Sequence, residues 1–255
     1  MKRQTVIAHG FGHAAQAAPV VNRLRAEHPG IDLLVVTDIA RPWLETWFHG
    51  PFDLFPLATD PGIRMQGPLP VDVAATVAAY LAFDRETDTL TARPRQLMDE
   101  HRVRLVLADV PWLPLQAAAD RGLPAIALCS LNRADILEAL APRERALADA
   151  LSRVRAAYRP ARGCLQPAAA MPMPWLPRGR RIGRIARTGR ADRRALRAHL
   201  GVAPGQHLAV LQLGGEAGTA AFDVPQRDDL LRLVAGRNGV PAGCVAAGAV
   251  LERLG

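Results

Sequence analysis

Two side chains in this sequence have the types and positions that general acid–base chemistry needs, His13 and Asp109. His13 lies in the segment TVIAHGFGHAAQAAPVVNRL, shortly after the apolar run 5–8, and Asp109 directly follows the apolar run 103–108. A carboxylate beside a histidine fixes the tautomer and stabilises the imidazolium that forms when the ring takes a hydroxyl proton. The pair is therefore a candidate catalytic base. The alternative is that His13 fills a glycine turn and Asp109 caps a helix.

A parallel sheet would bring these two residues together. The runs 5–8 and 103–108 are typical of buried strands, and helical patterns begin near residues 14 and 115. Open α/β sheets bind ligands at the carboxyl ends of their strands. We therefore expect His13 and Asp109, although 96 positions apart (109 − 13), to face one crevice.

The turn after the first strand carries Gly10 and Gly12, which we expect to supply positive-φ backbone and close approach to a ligand. With Ala15 the spacing is close to the GxGxxG fingerprint of dinucleotide-binding proteins, but a bulky histidine stands where small residues let a pyrophosphate approach. Asp38 follows the strand-like run 31–37 and either mimics the ribose-binding acid of that fingerprint or ends the strand.

The alternation of strands and helices predicts an α/β fold with a doubly wound, Rossmann-like parallel sheet, followed by a partial second α/β domain. Pro94 is expected to break the long helical stretch 71–102. We expect the following divisions and later elements: a Rossmann-like domain at 1–158, a Pro/Arg-rich interdomain linker at 159–190, an incomplete second domain at 191–255, helices at 191–200 and 227–235, and a strand at 207–213.

Composition indicates a globular protein with one large core or two modest ones, since 49% of the 255 residues are apolar. The apolar run near the start is too short for a signal peptide, and no run approaches the length of a membrane helix, so we expect a cytoplasmic protein. Cys129, Cys164 and Cys244 are scattered without CxxC spacing, which favours reduced structural thiols and predicts no metal site.

The net charge of +8 is concentrated in residues 151–200, which hold thirteen arginines and one acid, Asp192, for a local charge of +12 and −4 elsewhere (8 − 12). A nucleic-acid surface would interleave aromatic residues with these arginines, but only Tyr158 and Trp175 occur there. Lys2 is the only lysine of the chain, so this protein uses arginine for nearly all of its basic positions, and the arginine content does not by itself indicate a binding surface. We expect no nucleic-acid partner.

Three segments together resemble glycosyltransferases of the two-Rossmann (GT-B) architecture: AHGFGHAAQAAPVV, LVLADVPWLPLQAAADRGLPAIAL and RIGRIARTGRADRRALRAHLGV with LAVLQLGGE. The likeness is greatest to the glycosyltransferase-like amino-terminal part of arabinokinase-type proteins, and more distant to MurG and plant UDP-glycosyltransferases. It runs from about residue 5 to about residue 218.

This resemblance implies that His13 takes a proton from the acceptor hydroxyl and that Asp109 supports it. It also implies an acceptor site that includes Gly10, Phe11, Gly12 and Asn132, and a donor site opened by the turn Gly214, Gly215 and Glu216. The donor would be a UDP- or dTDP-linked sugar, used as substrate without a cofactor or an obligatory metal. The acceptor would be a small molecule or a glycan.

The sequence departs from the family pattern in two places. Ser130, Leu131, Asn132 and Arg133 stand where an Asn-Phe-Thr-Trp-like stretch is expected, and only Asn132 is kept. Forty residues follow Gly215 (255 − 215), whereas a full donor domain needs on the order of 150. The resemblance therefore leaves two functions open: an active glycosyltransferase, or a truncated, inactive remnant that serves as a binding module. A nucleotide-binding Rossmann protein of another class is a third alternative.

Overall fold

The computed structural model describes residues 2–8, 10–66, 70–189, 192–212, 227, 229–235 and 244–246. The chain forms two compact units. The first comprises Met1–Ile63 and Val73–Arg187, and the second comprises Arg64–Asp72 and Thr188–Gly255.

The first unit is a parallel sheet with helices on both faces. Its strands are β1 (Lys2–Ala8), β2 (Ile31–Val36), β3 (Asp53–Phe55), β4 (Val103–Asp109), β5 (Ala125–Leu128), β6 (Gly163–Gln166) and β7 (Gly179–Arg181). Its helices are α1 (Gly10–Glu27), α2 (Arg41–Glu45), α3 (Val73–Arg85), α4 (Thr87–Glu100), α5 (Leu113–Asp120), α6 (Arg133–Leu140) and α7 (Ala148–Tyr158). The predicted α/β fold with a doubly wound, Rossmann-like sheet is confirmed.

The strand order is β3-β2-β1-β4-β5-β6-β7, with every pairing parallel. The order reverses at β1, because β2 lies on one side of it and β4 on the other. Such a reversal opens a crevice at the carboxyl ends of the two central strands. Asp109, the last residue of β4, pairs in register with Ala8, the last residue of β1, so both strands end at the same level.

Alternate residues of β2 face two separate cores. Leu33 and Val35 pack with the helix α1 on one face, and Leu34 and Val36 pack on the other face in the larger core. The sequence IDLLVV is apolar at nearly every position for this reason, since both faces of the strand are covered.

The helical stretch 71–102 is interrupted at Glu86, rather than at Pro94 as predicted. Glu86 has φ −101° and ψ 7°, which ends α3 and starts α4, while Pro94 lies buried inside α4. The Arg95 side chain donates hydrogen bonds to the carbonyl oxygens of Thr91, at 3.2 Å, and Asp88, at 3.1 Å. These bonds supply donors to helix carbonyls near the proline, whose own nitrogen can donate none.

The segment 159–190, predicted to be an interdomain linker, differs from that expectation because it contributes β6 and β7 to the sheet of the first unit. The proline-rich part between these strands is anchored rather than extended across a gap. Met173 and Leu176 are buried in the core, and the Trp175 ring nitrogen donates to both carboxylate oxygens of Asp135, at 3.0 and 2.9 Å. Sequence reasoning missed these strands because they are short and contain glycine and arginine.

The second unit contains a parallel sheet in the order β10-β9-β8, formed by β8 (His207–Gln212), β9 (Leu230–Ala235) and β10 (Val245–Ala246), together with α8 (Arg193–His199). The predicted helix at 227–235 is wrong, because LLRLVA forms β9 and pairs with β8 over six positions. A short apolar run does not distinguish helix from strand by periodicity alone. The helix and strand predicted near 191–200 and 207–213 are confirmed within one or two residues.

Candidate active site

The helix α1 begins two residues after β1, so His13 lies in the first turn of a helix rather than in a loop. Gly10 has a φ of +77°, which an L side chain rarely adopts, and this conformation turns the chain from strand to helix. The predicted need for glycine is therefore met at Gly10. Gly12 has no positive φ and is exposed, and a Cβ built there meets no described atom within 4 Å.

The structure brings the two predicted catalytic residues together. Nδ1 of His13 lies 3.1 Å from Oδ1 of Asp109, with the His13 side chain 17% exposed and Asp109 fully buried. If Nδ1 donates to the carboxylate, the neutral ring carries its lone pair on Nε2. No described residue hydrogen-bonds Nε2, so this nitrogen can accept a proton from a ligand.

Gln16 is a third member of the site that sequence reasoning missed. Its amide nitrogen donates to Oδ1 of Asp109 at 3.1 Å and to Oδ2 at 3.0 Å, so both carboxylate oxygens are engaged. Gln16 follows His13 by three residues on the same helix, and side chains at that spacing share a face. This spacing was a signal present in the sequence.

Burial raises the pKa of Asp109 above its ordinary value, while the hydrogen bond and charge of His13 and the hydrogen bond from Gln16 act in the opposite direction. A negative charge on the Asp109 carboxyl group is therefore costly unless His13 or Gln16 compensates it. An imidazolium on His13 would supply that compensation. The pair thus has the electrostatics of a base that becomes better paired once it has taken a proton.

The backbone of Val110, the residue after Asp109, is strained. Val110 has a φ of +75°, a region that β-branched residues avoid. Its amide donates to the Leu128 carbonyl at 3.1 Å, and its carbonyl accepts a bond from the Tyr158 hydroxyl at 2.5 Å. Burial raises the pKa of Tyr158 well above its ordinary value, so the hydroxyl keeps the proton that it donates. These bonds hold the chain in place directly after the Asp109 carboxylate.

Phe11, predicted to contact the acceptor, packs edge-on against Trp43 with ring centroids 5.0 Å apart, and Trp43 stacks on Trp47 at 5.4 Å. All three rings are half-buried, and they rest on the smaller core beside α1. Arg187 lies over the Trp47 ring at 4.4 Å. The cluster begins at Phe11, two residues before His13 on α1, and side chains at that spacing do not share a helix face.

Asn132, predicted to bind substrate, instead caps α6. Its side-chain oxygen accepts from the Asp135 amide at 2.8 Å, and its side-chain nitrogen donates to the Asp135 carboxylate at 2.7 Å. The residue is fully buried, so a substrate cannot reach these atoms. An asparagine before a helical run carries a capping signal that is as strong as any binding signal.

The predicted donor residues Gly214, Gly215 and Glu216 lie outside the described residues. Asp38 is exposed just after β2. Among the described residues no group of three or more His, Cys, Asp and Glu side chains could hold a metal ion, and none of the helices there is both long and apolar enough to span a bilayer. Cys129 and Cys164 are buried and Cys244 is half-buried, and all three are free thiols.

Comparisons with known proteins find a likeness in solved structures only. No protein-family model matches the sequence, and no curated protein matches it. Solved structures do match. UGT2 of Phytolacca americana, complexed with UDP-2fluoro-glucose and pterostilbene, has a TM-score of 0.51 and 14% identity over 87% of this chain. The glycosyltransferase SsfS6 of Streptomyces sp. SF2575 has a TM-score of 0.52 and 17% identity over 98% of it.

A third structure, S. aureus MnaA with UDP, gives a TM-score of 0.54 and 11% identity over 96% of this chain. The chain spans 61% of the length of the Phytolacca protein, 73% of SsfS6 and 69% of MnaA. At these identities the likeness shows the fold: the chain has a GT-B-like α/β fold with Rossmann-like parallel sheets.

Proposed function

We propose that this protein is a glycosyltransferase that moves a sugar from a nucleotide-sugar donor to an acceptor hydroxyl, with His13 as the base and Asp109 as its partner. The contact between His13 Nδ1 and the buried Asp109 carboxylate, at 3.1 Å, is the observation that carries the proposal. It leaves Nε2 without a described partner, which is the geometry that a base needs.

The chemistry follows from the position of Nε2. As the acceptor oxygen bonds to the anomeric carbon of the donor sugar, its proton passes to Nε2, and the bond from that carbon to the nucleoside diphosphate breaks. The imidazolium then lies at the amino-terminal, positive end of α1, which disfavours it. Asp109 compensates that cost, and Gln16 keeps both carboxylate oxygens in place.

The donor side of the proposal comes from the neighbours in structure. One of them is complexed with UDP-2fluoro-glucose, and SsfS6 also has a structure with thymidine diphosphate, which matches this chain with a TM-score of 0.53 and 16% identity. We propose a uridine- or thymidine-linked sugar as the donor, bound as a substrate with no cofactor, and Gly10, Phe11 and Gly12 beside the acceptor.

The test combines binding and turnover on the full chain. Isothermal titration with a panel of UDP- and dTDP-sugars is expected to give micromolar binding, and product analysis is expected to show transfer to an acceptor. His13→Ala should reduce kcat by about 10²- to 10⁴-fold, the usual contribution of a general base, and leave the Tm nearly unchanged because the ring is part-exposed.

Gln96→Ala is a matched control, because Gln96 makes an exposed helix-surface bond to Glu100 and lies outside the site. This variant should keep full activity. A His13→Ala protein that transfers sugar at the normal rate contradicts the assignment of the base. Absence of binding across the whole donor panel contradicts the glycosyltransferase function and favours a binding module without turnover.

A further inference from the structure

Two side chains of α1, His13 and Gln16, reach the buried carboxylate of Asp109. Nδ1 of His13 lies 3.1 Å from Oδ1, and the amide nitrogen of Gln16 donates to Oδ1 at 3.1 Å and to Oδ2 at 3.0 Å. The Asp109 side chain is fully buried, whereas His13 and Gln16 are part-buried. Oδ1 is therefore shared by the two partners, and Gln16 alone among the described residues bonds Oδ2.

The pair of His13 and Asp109 can hold two protons in two ways. When the ring takes a second proton on Nε2, an imidazolium lies beside an ionised carboxylate. Alternatively, the Nδ1 proton passes to Oδ1, which leaves a neutral ring with its proton on Nε2 beside a neutral carboxyl group. Both forms contain the same two protons, so their ratio depends on how well the surroundings stabilise the ion pair. A stable neutral form would keep Nε2 protonated, and a protonated Nε2 cannot act as a base.

Burial shifts this ratio towards the neutral form. It is the largest influence on Asp109 and raises the pKa of that group, because a carboxylate in the interior has lost its hydration. Cys129, just after β5, is a further titratable group close to Asp109. Burial raises the pKa of the Cys129 thiol well above its ordinary value, so the thiol stays neutral and compensates no charge.

Another buried aspartate shows how a permanent charge solves the same problem. Asp60, in the segment after β3, is fully buried, with Oδ1 3.2 Å from Nε of Arg133 and 2.9 Å from the Tyr80 hydroxyl. Arginine keeps its charge at any physiological pH. Asp109 has no arginine or lysine as an ion-pair partner among the described residues, where its ionic contact is with His13. The donor that does not titrate is the amide of Gln16.

The position of the Gln16 amide favours a charged carboxylate. Its nitrogen lies within bonding distance of both carboxylate oxygens, and an amide N–H group donates but never accepts. Hydrogen bonds to an ionised acceptor are roughly twice as strong as those to a neutral one. A proton on the carboxyl group would therefore weaken the contacts of Gln16, so Gln16 stabilises the ion pair over the neutral pair.

We propose that Gln16 is a positioning residue that keeps Asp109 ionised, so that both protons of the pair stay on the His13 ring. In the transfer step the acceptor proton passes to Nε2, Nδ1 keeps its own proton, and the negative charge stays on the carboxylate. The role of His13 as a base rests here on the proposed function. Gln16 acts through Asp109 and needs no contact with a substrate.

The test locates the protons of His13 by proton–nitrogen correlation NMR of the full chain with isotope-labelled histidine, in the absence of nucleotide sugar and acceptor. The nitrogen shift distinguishes a protonated from an unprotonated ring nitrogen. The signal that is missing from His13→Ala identifies this ring among the seven histidines. Below the pH at which the pair takes its second proton, the unmodified protein is expected to show both ring nitrogens protonated. A neutral ring with an unprotonated Nδ1 overturns the proposal.

Gln16→Met removes the amide donors at similar volume. We expect the ratio of charged to neutral ring to fall at least about 10-fold, as the loss of a hydrogen bond to a charged group implies. Gln116→Met is the matched control, because the Gln116 amide donates to the Asp120 carboxylate at 2.8 Å on α5, and it should leave the ratio unchanged. An unchanged ratio in Gln16→Met, with or without a lower Tm, overturns the proposal and leaves Gln16 a merely structural role. Gln16→Leu, which also lacks donors and favours a helix, replaces the methionine variant if that does not fold.

The proton measurement and the transfer experiment fail independently. A ring charge that depends on Gln16, without any sugar transfer, would leave this inference standing and remove the proposed function. Sugar transfer together with an unchanged ring in Gln16→Met would keep the function and remove the positioning role.

Discussion

Two buried aspartates at one edge of the same sheet, Asp109 and Asp60, have opposite kinds of partner. Asp109 faces His13, which can gain or lose a proton, and the neutral amide of Gln16. Asp60 faces Arg133, whose charge is permanent at any physiological pH. The first arrangement allows a proton to move between the partners, whereas the second holds a permanent positive charge in place.

The hydrogen bonds of the two carboxylates are distributed differently as well. Both oxygens of Asp109 accept bonds from side chains, so its orientation is fully determined. At Asp60 the contacts made by the described residues converge on Oδ1, and none of them reaches Oδ2. A carboxylate that supports a base must keep one orientation, which the bonds to both oxygens of Asp109 provide. The difference therefore separates a carboxylate held for the proposed proton transfer from one held in a buried ion pair.

The strongest way to break the comparison is to remove the permanent charge. Arg133→Met leaves Asp60 buried with no cation, and we expect the free energy of unfolding to fall by about 3–5 kcal/mol, because an uncompensated buried charge is very costly. Urea unfolding followed by circular dichroism measures the change.

Two variants test the cause of that loss. Asp60→Asn combined with Arg133→Met should recover most of the stability, since no charge is then left unpaired. Arg93→Met removes the cation of an exposed pair and should cost no more than about 1 kcal/mol. A small effect of Arg133→Met alone would show that Asp60 reaches solvent, against the burial described above.

A change in stability of intermediate size is expected at Tyr158, which bonds the residue after Asp109 and whose pKa the charges of Asp60 and Arg133 influence. Tyr158→Phe removes the hydroxyl that bonds the carbonyl of Val110, and leaving that buried carbonyl unbonded should lower the free energy of unfolding by about 1–3 kcal/mol. Urea unfolding measures it. Thr46→Ala is a suitable control, since it removes an exposed hydroxyl bond to the Trp43 carbonyl and should change stability little. Equal losses of unfolding free energy in the two variants would mean that the buried Tyr158 bond stabilises the fold no more than the exposed Thr46 bond does.

The two sites also differ in how far the sequence predicted them. His13 and Asp109 were predictable because each follows an apolar run, and parallel strands bring their carboxyl ends to one edge whatever their separation in sequence. The α/β class and most strand positions followed from the same periodicity. Asp60 and Arg133 lack such a signal, because Asp60 lies in a segment without helix or strand and Arg133 stood out only as a departure from the family pattern.

The sequence pattern did not show which partner each residue or segment takes in the fold. The family resemblance placed Asn132 in the acceptor site, whereas in the structure its side chain bonds Asp135 and caps α6. The run 230–235 became a strand because β8 was present to pair with it. In both places the partner, Asp135 in one case and β8 in the other, determines the observed structure.

The smallest expected effect is a pH dependence that only Asp109 should show, because Arg133 does not titrate. Burial raises the pKa of Asp109 in the folded protein, so between its unfolded pKa, near 3.8, and its folded pKa the folded state binds more protons than the unfolded state. Stability contributed by the neutral carboxyl is therefore present at low pH and is lost as the pH rises through this window.

Asp109→Asn stays neutral, so the difference in unfolding free energy between this variant and the unmodified protein should shift steadily in favour of the variant as the pH rises. Urea unfolding at a series of pH values measures that slope, with Asp192→Asn at an exposed helix cap as the control. A difference that is constant across the window would mean that the contacts with His13 and Gln16 fully offset the burial of the carboxylate, so that folding leaves the pKa of Asp109 unchanged.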